Sequence, residues 1–358
     1  MGVAREALSL SSPIAAKVIA SAISLLIVAG CHQPRQHPLQ RYEYKKPEMG
    51  TVFQIVLYSP DLATANRAAQ AAFARAEALN AILSDYDPES ELSRLSRRTD
   101  VGPMTEPVPV SPDLWQLLEA SVEASRQSNG AFDITLGPCI KLWRRSHQMG
   151  QLPTPERLAE ARKSVGWEAI KLFPQTHSVQ LLKPKMRLDV GGIAKGYTAM
   201  EMAATIRNLG IPRMMVGAAG DITVGDPPPA KKYWRIAVRS FERADESSDY
   251  VNLRNASIST SGDTERFIII DGQRYSHIID PKTCLGLTRR VAVTVIAPSG
   301  PSADWLCKPP CILGPEEGLK LIEQTPGAAA RIVTLDGEKP VVYESKRWSA
   351  FRAEGLSP

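Results

Sequence analysis

Histidine and cysteine are scarce in this chain, with five of each among 358 residues. No close pair of Cys or His repeats at ligand spacing, which leaves a zinc site without its usual pattern. Beyond residue 30 no apolar stretch is long and uncharged enough to cross a membrane. No G-x-G-x-x-G turn follows a strand, which disfavours a doubly wound dinucleotide fold, and no G-x-x-x-x-G-K-[ST] run marks a Walker loop. The formal net charge is only +5, and the basic residues are scattered. A nucleic-acid partner, which needs a clustered basic face, is therefore not expected. Internal repeats and long low-complexity stretches are missing as well.

The N-terminus carries the clearest local signal. Arg5 and Lys17 precede an apolar run from Val18 to Gly30 that closes on Leu26-Ile27-Val28-Ala29-Gly30-Cys31. A basic region followed by a short apolar core reads as a secretory signal rather than a membrane span. The small residues before Cys31 resemble the bacterial lipobox, in which that cysteine is acylated. The expectation is a signal peptide over residues 1–30 and a lipidated Cys31 that holds the protein to a lipid membrane; a plain signal peptide or an uncleaved anchor is the alternative. The location implied is extracytoplasmic, on the periplasmic face. Residues 31–47, with Pro34, Pro38 and Pro47, read as a tether. Cys139, Cys284, Cys307 and Cys311 remain; in an oxidising compartment some can pair, but spacing alone does not give the connectivity.

The rest of the chain alternates blocks of strand and helix. Thr51–Tyr58 is rich in β-branched and aromatic residues and is expected to be a strand. A helix follows from Asp61 to about Leu83, and another starts at Ser111-Pro112-Asp113. Strands are expected near Ala169–Phe173, Val179–Leu182 and Met186–Val190, then a helix from Gly191-Gly192 to about Gly210. The second half is strand-rich: Met214–Val216, Trp234–Val238, Phe267–Ile270, Tyr275–Ile279 and Val291–Ile296. Two helices are expected between Ser302 and Gln324, then a hairpin at Asp336-Gly337. Blocks of strands and helices without strict alternation indicate an α+β fold with a mainly antiparallel sheet and flanking helices.

Four segments carry polar residues that these elements do not require. Leu188-Asp189-Val190-Gly191-Gly192-Ile193-Ala194-Lys195-Gly196-Tyr197 sits at a strand-to-helix junction. Its glycines permit close backbone approach, the helix start offers N–H groups to an anion, and Lys195 adds a positive charge; a tight structural turn is the alternative. Leu83-Ser84-Asp85-Tyr86-Asp87-Pro88-Glu89-Ser90 is a polar turn with one aromatic, leading into a capped helix. Ser128-Asn129-Gly130-Ala131-Phe132-Asp133 is either a helix terminator or part of a site. The last segment runs through Ser261-Gly262-Asp263, His277-Ile278-Ile279-Asp280-Pro281 and Ala303-Asp304-Trp305. His277 lies in a strand just before an Asp-Pro turn; it is either a satisfied structural residue or, placed beside a carboxylate, a base near neutral pH.

Together with Met49-Gly50-Thr51 and Gly220-Asp221, these segments resemble the FAD:protein FMN transferase (ApbE) family in order and spacing over residues 48–345, leaving 346–358 as a tail. The resemblance implies an ApbE-like α+β fold. It implies transfer of FMN from FAD to a Ser or Thr hydroxyl of an exported flavoprotein acceptor with an FMN-binding domain, releasing AMP. It places Met49, Tyr86, Ala131, Phe132, Asp133, Asp189, Lys195 and Ile278 against FAD, and His277 as the base for the acceptor hydroxyl. It also implies Mg²⁺, held by the Gly192 carbonyl, by Asp304 and by a Thr four residues later. That last position is Lys308 here, and an ammonium cannot coordinate a metal. Lys308 then either points away, or pairs with Asp304 and supplies charge to the pyrophosphate, or disables transfer. Weakened or absent Mg²⁺ dependence is the expectation; the alternative function is an FAD-holding lipoprotein or FAD hydrolase. Further departures are Cys284 in place of Gly, Pro309-Pro310 where a helix normally continues, Gly217 and Ala219 before Gly220, and Met200 in place of Asp. A disulfide between Cys307 and Cys311, with Cys284 as a further candidate, is the pairing this neighbourhood suggests.

Overall fold

A computed structural model describes residues 38–238, 249–262 and 267–353. The signal segment, Cys31, Asp263 and residues 354–358 of the tail lie outside the described residues. In chain order, β1 (Gln40–Glu48) and β2 (Thr51–Ser59) form a hairpin. Its Met49-Gly50 turn has positive φ at both positions, 48° and 71°, the combination that matches the twist of a two-residue loop. The expected tether therefore includes a strand. In β1, Arg41, Glu43 and Lys45 alternate with half-buried Tyr42 and Tyr44, and an outward charged row of this kind protects a sheet edge.

Next come α1 (Leu62–Leu83), α2 (Glu91–Arg97), β3 (Val108–Pro109), α3 (Pro112–Gln127), α4 (Gly137–Met149) and α5 (Pro155–Lys163). Asp61 caps α1 by accepting the Thr64 N–H at 2.8 Å, and Ser111 caps α3 through the Leu114 N–H. β4 (Ile170–Phe173), β5 (Ser178–Leu181), α6 (Ala194–Asn208), β6 (Met214–Ala218), β7 (Asp221–Val224), β8 (Trp234–Val238), β9 (Asp249–Leu253) and β10 (Ala256–Gly262) follow. The remainder is β11 (Phe267–Ile270), β12 (Gln273–Ser276), β13 (Val291–Ala297), α7 (Gly300–Leu306), α8 (Lys308–Leu313), α9 (Pro315–Gln324), β14 (Ala329–Asp336) and β15 (Lys339–Glu344).

Among the described residues, eight strands make one sheet in the order β1-β2-β6-β7-β10-β13-β14-β15, with every neighbouring pair antiparallel. Both faces are covered, as the period of two in β2 shows. Phe53, Ile55 and Leu57 face α1 and α6, while Val56 faces Trp234 and Trp348 on the other side. The buried stripe of α1 is made of methyl groups from Ala65 through Ala68, Ala69 and Ala72 to Ala76, before Leu79 and Leu83 continue it, which lets α6 pack closely. The α+β architecture is thus the expected one, with three local corrections.

Met186–Val190 is not a ladder strand. Met186, Leu188 and Val190 are buried, as is Asp189 between them, and the main chain bonds elsewhere: the Leu188 N–H to Ser96 Oγ at 3.0 Å and the Asp189 N–H to Ile134 O at 2.8 Å. The strand expected over Tyr275–Ile279 stops at Ser276, because Ser276 Oγ takes the Ile278 N–H at 3.1 Å and bends the chain. His277 therefore sits in the bend. Three helices, not two, fill 300–324, since Pro309 and Pro310 lack N–H groups and are tolerated only in a new first turn. Lys308 is the first residue of that turn.

Candidate active site

The site is assembled around the N-terminus of α6. Gly196, in its first turn, lies against Gly300 in α7: a Cβ on Gly196 would fall 2.3 Å from the Gly300 carbonyl oxygen. Only glycine permits that approach. It brings Asp304, one turn further along α7, under the start of α6, where its Oδ2 accepts the Gly196 N–H at 3.0 Å. Partial positive charge at a helix N-terminus favours a carboxylate there.

Two ammonium groups share this buried carboxylate. Lys308 Nζ donates to Asp304 Oδ1 and, at 2.8 Å, to the Asp304 main-chain oxygen. Lys195 Nζ lies 3.9 Å from Asp304 Oδ2 and 3.1 Å from Asp221 Oδ2. Burial by itself would raise the Asp304 carboxyl, but Lys195 and Lys308 outweigh it and hold it below its ordinary value. Burial works against the Lys308 charge too, yet Asp304 keeps its pKa above the ordinary one. Asp221 is raised by burial and by the Asp304 charge; Ser259 donates to it.

These residues do not fit a divalent cation. Magnesium takes oxygen ligands in an octahedron. Here both Asp304 oxygens receive N–H donors, and the Lys308 stem lies beside Gly192, with Cε 3.5 Å from where a Gly192 Cβ would be. Two unit charges 4 Å apart at an effective dielectric of 20 repel by about 4 kcal/mol, and a divalent ion doubles the figure. Of the expected ligand set, Gly192 and Asp304 are both taken up by Lys308, whose stem packs on the one and whose ammonium pairs with the other.

A second group lies one step back along the glycine-rich segment. Asp189 Oδ1 accepts the Gly191 N–H at 2.8 Å, and its Oδ2 accepts from Arg144 Nη2 at 3.0 Å. Arg144 also pairs with Asp85, and its guanidinium carbon sits 4.0 Å from the centre of the Tyr86 ring. Burial, then the nearby Asp85 carboxylate, pushes Asp189 up to about 6. Tyr86 is 76% exposed, so its second face is open. Arg144 lies on α4, a helix that the sequence marks only by its amphipathic pattern from Cys139 through Trp143 to Ser146.

Of the other expected residues, Phe132 is buried between the Gly192 turn and Trp305, ring centres 6.0 Å apart, and Ala131 is buried beside it. Met49 reaches α6 from the hairpin turn, its sulfur 3.4 Å from Thr198 Oγ1. The Asp133 carboxylate, raised by burial, accepts the N–H and hydroxyl of Thr135, both at 2.7 Å, and so organises its own turn. Ile278 is buried in the core; its N–H goes to Ser276 Oγ and its carbonyl receives the Leu287 N–H at 2.9 Å.

His277 is exposed, on a loop fixed to α4 by a disulfide between Cys139 and Cys284. This corrects the expected Cys307–Cys311 pairing. Cys284 has φ 59°, a left-handed turn position that aims its sulfur at α4. The Cys307 thiol instead donates to Ser259 O at 3.2 Å, and the Cys311 thiol to Cys307 O at 3.3 Å; both are buried and reduced. Burial pushes the Cys307 thiol up to about 12.

The model of the ApbE family matches residues 49–332. An FAD:protein FMN transferase of Haemophilus influenzae is 31% identical over 316 residues, covering 85% of this chain and 88% of that one. One of Vibrio cholerae is 31% identical over 340 residues, covering 92% and 96%. Among solved structures, the flavin transferase ApbE from Vibrio cholerae superposes with a TM-score of 0.77 at 27% identity, covering 88% of this chain and all of that one. The apo flavinyl transferase ApbE of Pseudomonas stutzeri gives 0.76 at 27% identity, covering 89% and 99%.

Proposed function

Because the chain belongs to the ApbE family, we propose that it is an FAD:protein FMN transferase that flavinylates an exported acceptor protein. The observation that supports this most is the gathering of Lys195, Lys308, Asp304 and the Gly191-Gly192 turn at the N-terminus of α6, with Asp189, Tyr86 and Phe132 alongside.

The reaction is phosphoryl transfer, so positioning and charge neutralisation are the protein's main tasks. The acceptor Ser or Thr Oγ forms a bond to the phosphorus on the flavin side of FAD. The anhydride P–O bond breaks, and AMP leaves with the bonding electrons. His277 takes the hydroxyl proton; its exposure on an anchored loop suits a base that must meet a second protein. Lys195 and Lys308 face the charge that develops on the leaving phosphate. Phe132 and Tyr86 supply apolar and stacking area for a ring, and Asp189 accepts hydrogen bonds from it. Met49 lines the same end of α6.

Tethering outside the cytoplasm belongs to this reading. The lipobox-like run ending at Cys31 supports acylation there and anchoring on the periplasmic face, next to exported acceptors. Replacing Cys31 by Ser is expected to abolish fatty-acid labelling and release the protein from the membrane fraction.

Incubating the protein with FAD and an acceptor FMN-binding domain should give a fluorescent acceptor band that survives denaturation, with one AMP released per band. FAD that binds and is released intact on denaturation, with no band, would make the protein a flavin holder. FMN and AMP in solution without a band would make it a hydrolase.

A further inference from the structure

The misfit between Asp304 and a divalent ion has a positive counterpart in the same few ångströms. We propose that the Lys308 ammonium, with Lys195 beside it, takes the pyrophosphate of FAD directly, so that this chain binds and cleaves FAD without a divalent cation. This rests on the transferase reading above and deepens it at one site.

Four features of the structure support the assignment. The Lys308 stem runs along the Gly192 turn and its Nζ rests on Asp304, so one side chain takes up both glycine turn and carboxylate. Its location is fixed by the backbone: α7 ends at Leu306 and Pro309-Pro310 force a new helix to start at residue 308. From that junction the side chain reaches back one turn to Asp304. Two of the three ammonium donors go to the Asp304 oxygens, which leaves one for an incoming oxygen. Lys195 stands on the other side of the same carboxylate, 3.9 Å from it, and Asp221 holds it from behind at 3.1 Å. Each ammonium keeps a carboxylate partner, Asp304 for Lys308 and Asp221 for Lys195, and an ammonium-to-phosphate contact is a charge-assisted one of the stronger kind. Asp304 then serves as the anchor of Lys308 rather than as a ligand.

The test measures binding of FAD and of riboflavin, which lacks the pyrophosphate, to the full chain in detergent by flavin fluorescence. Titrations are run in EDTA and in excess magnesium chloride. The expected result is an FAD affinity that differs less than about twofold between the two conditions. Replacing Lys308 by Met should weaken FAD about tenfold or more while leaving riboflavin binding unchanged, and Lys308→Arg should retain most of the affinity. An FAD affinity that collapses in EDTA and returns with Mg²⁺, or a Lys308→Met protein that binds FAD as the wild type does, overturns the inference but leaves the transferase reading standing. A wild-type protein that binds no FAD under either condition overturns both. Should Lys308→Met fail to fold, the EDTA arm on the wild type and the Arg variant decide.

Discussion

Gly196 and Gly300 meet backbone to backbone where α6 crosses α7: a Cβ on Gly300 would lie 2.0 Å from the Gly196 carbonyl oxygen. Asp304 hangs from the same contact, its carboxylate on the Gly196 N–H. Gly300→Ala is therefore expected to destabilise the fold by about 1–3 kcal/mol, the usual range for overpacking a tight contact. It should also weaken FAD binding, because the helices must part and carry Asp304 and Lys308 with them. Urea unfolding and a flavin titration on one preparation check both effects. An unchanged midpoint would mean that the helices slide past each other without loss.

The Cys139–Cys284 disulfide closes a loop of 145 residues in sequence and pins the His277 loop to α4. With Cys31 replaced by Ser, the oxidised protein denatured without reductant should titrate two thiols, those of Cys307 and Cys311. Loss of the bridge through Cys139→Ser should lower stability by about 2–4 kcal/mol. At the other end, Cys284 holds a left-handed φ of 59° that suits glycine. Cys284→Gly should accordingly be less harmful than Cys284→Ser, by about 1 kcal/mol. Both should slow acceptor flavinylation more than they weaken FAD binding, since the loop carries His277 and not the pyrophosphate contacts.

The elements read correctly from sequence are those whose hydrogen bonds follow their side-chain pattern. Trp234–Val238 and Phe267–Ile270 are strands with the expected bounds, and Asp61 and Ser111 cap the helices they precede. Met186–Val190 shows where this fails: an apolar pattern reports burial of an extended chain, whereas a strand also needs a partner ladder, and here Ser96 Oγ and Ile134 O take its N–H groups. β1 was hidden for the opposite reason, its outward row being charged and its proline sitting near the end. In the site, the Asp189–Lys195 segment stands out in the sequence by its glycines, and the four-residue spacing leaves an Asp304–Lys308 pair as one of three open outcomes, the one that the structure shows across the junction of α7 and α8. Arg144 and the Cys139–Cys284 bridge are not legible there, since both depend on where α4 docks.

Ala219 illustrates a departure with a measurable consequence. It occupies the turn between β6 and β7 with φ 56°, next to Gly220, whose Cβ would lie 2.7 Å from the Thr260 carbonyl oxygen. An alanine in the left-handed region costs about 1–2 kcal/mol, partly offset by the smaller chain entropy it has to lose compared with glycine. Ala219→Gly is thus expected to raise stability by up to about 1 kcal/mol. Thermal and urea unfolding should both move upward. Gly220→Ala, whose new methyl would press on the Thr260 carbonyl, should move them down.

Asp189 gives the pH dependence its sign. Its folded-state pKa stands at about 6, above the ordinary 3.8, because the side chain is buried and Asp85 lies beside it. The folded protein therefore holds a proton that the unfolded chain releases near pH 4. The stability this contributes is complete below that value and is lost as pH rises to about 6. Recognition works in the other direction, since only the ionised Asp189 is a pure acceptor toward a ligand N–H or O–H. FAD affinity should consequently increase as pH rises through about 6 and level off above it. Asp85→Asn removes the like charge and should move that inflection downward, although it also frees one side of Arg144. Asp189→Asn should abolish the inflection and bind FAD weakly at every pH. A wild-type titration that stays flat between pH 5 and pH 7 would show that FAD does not contact the Asp189 carboxylate.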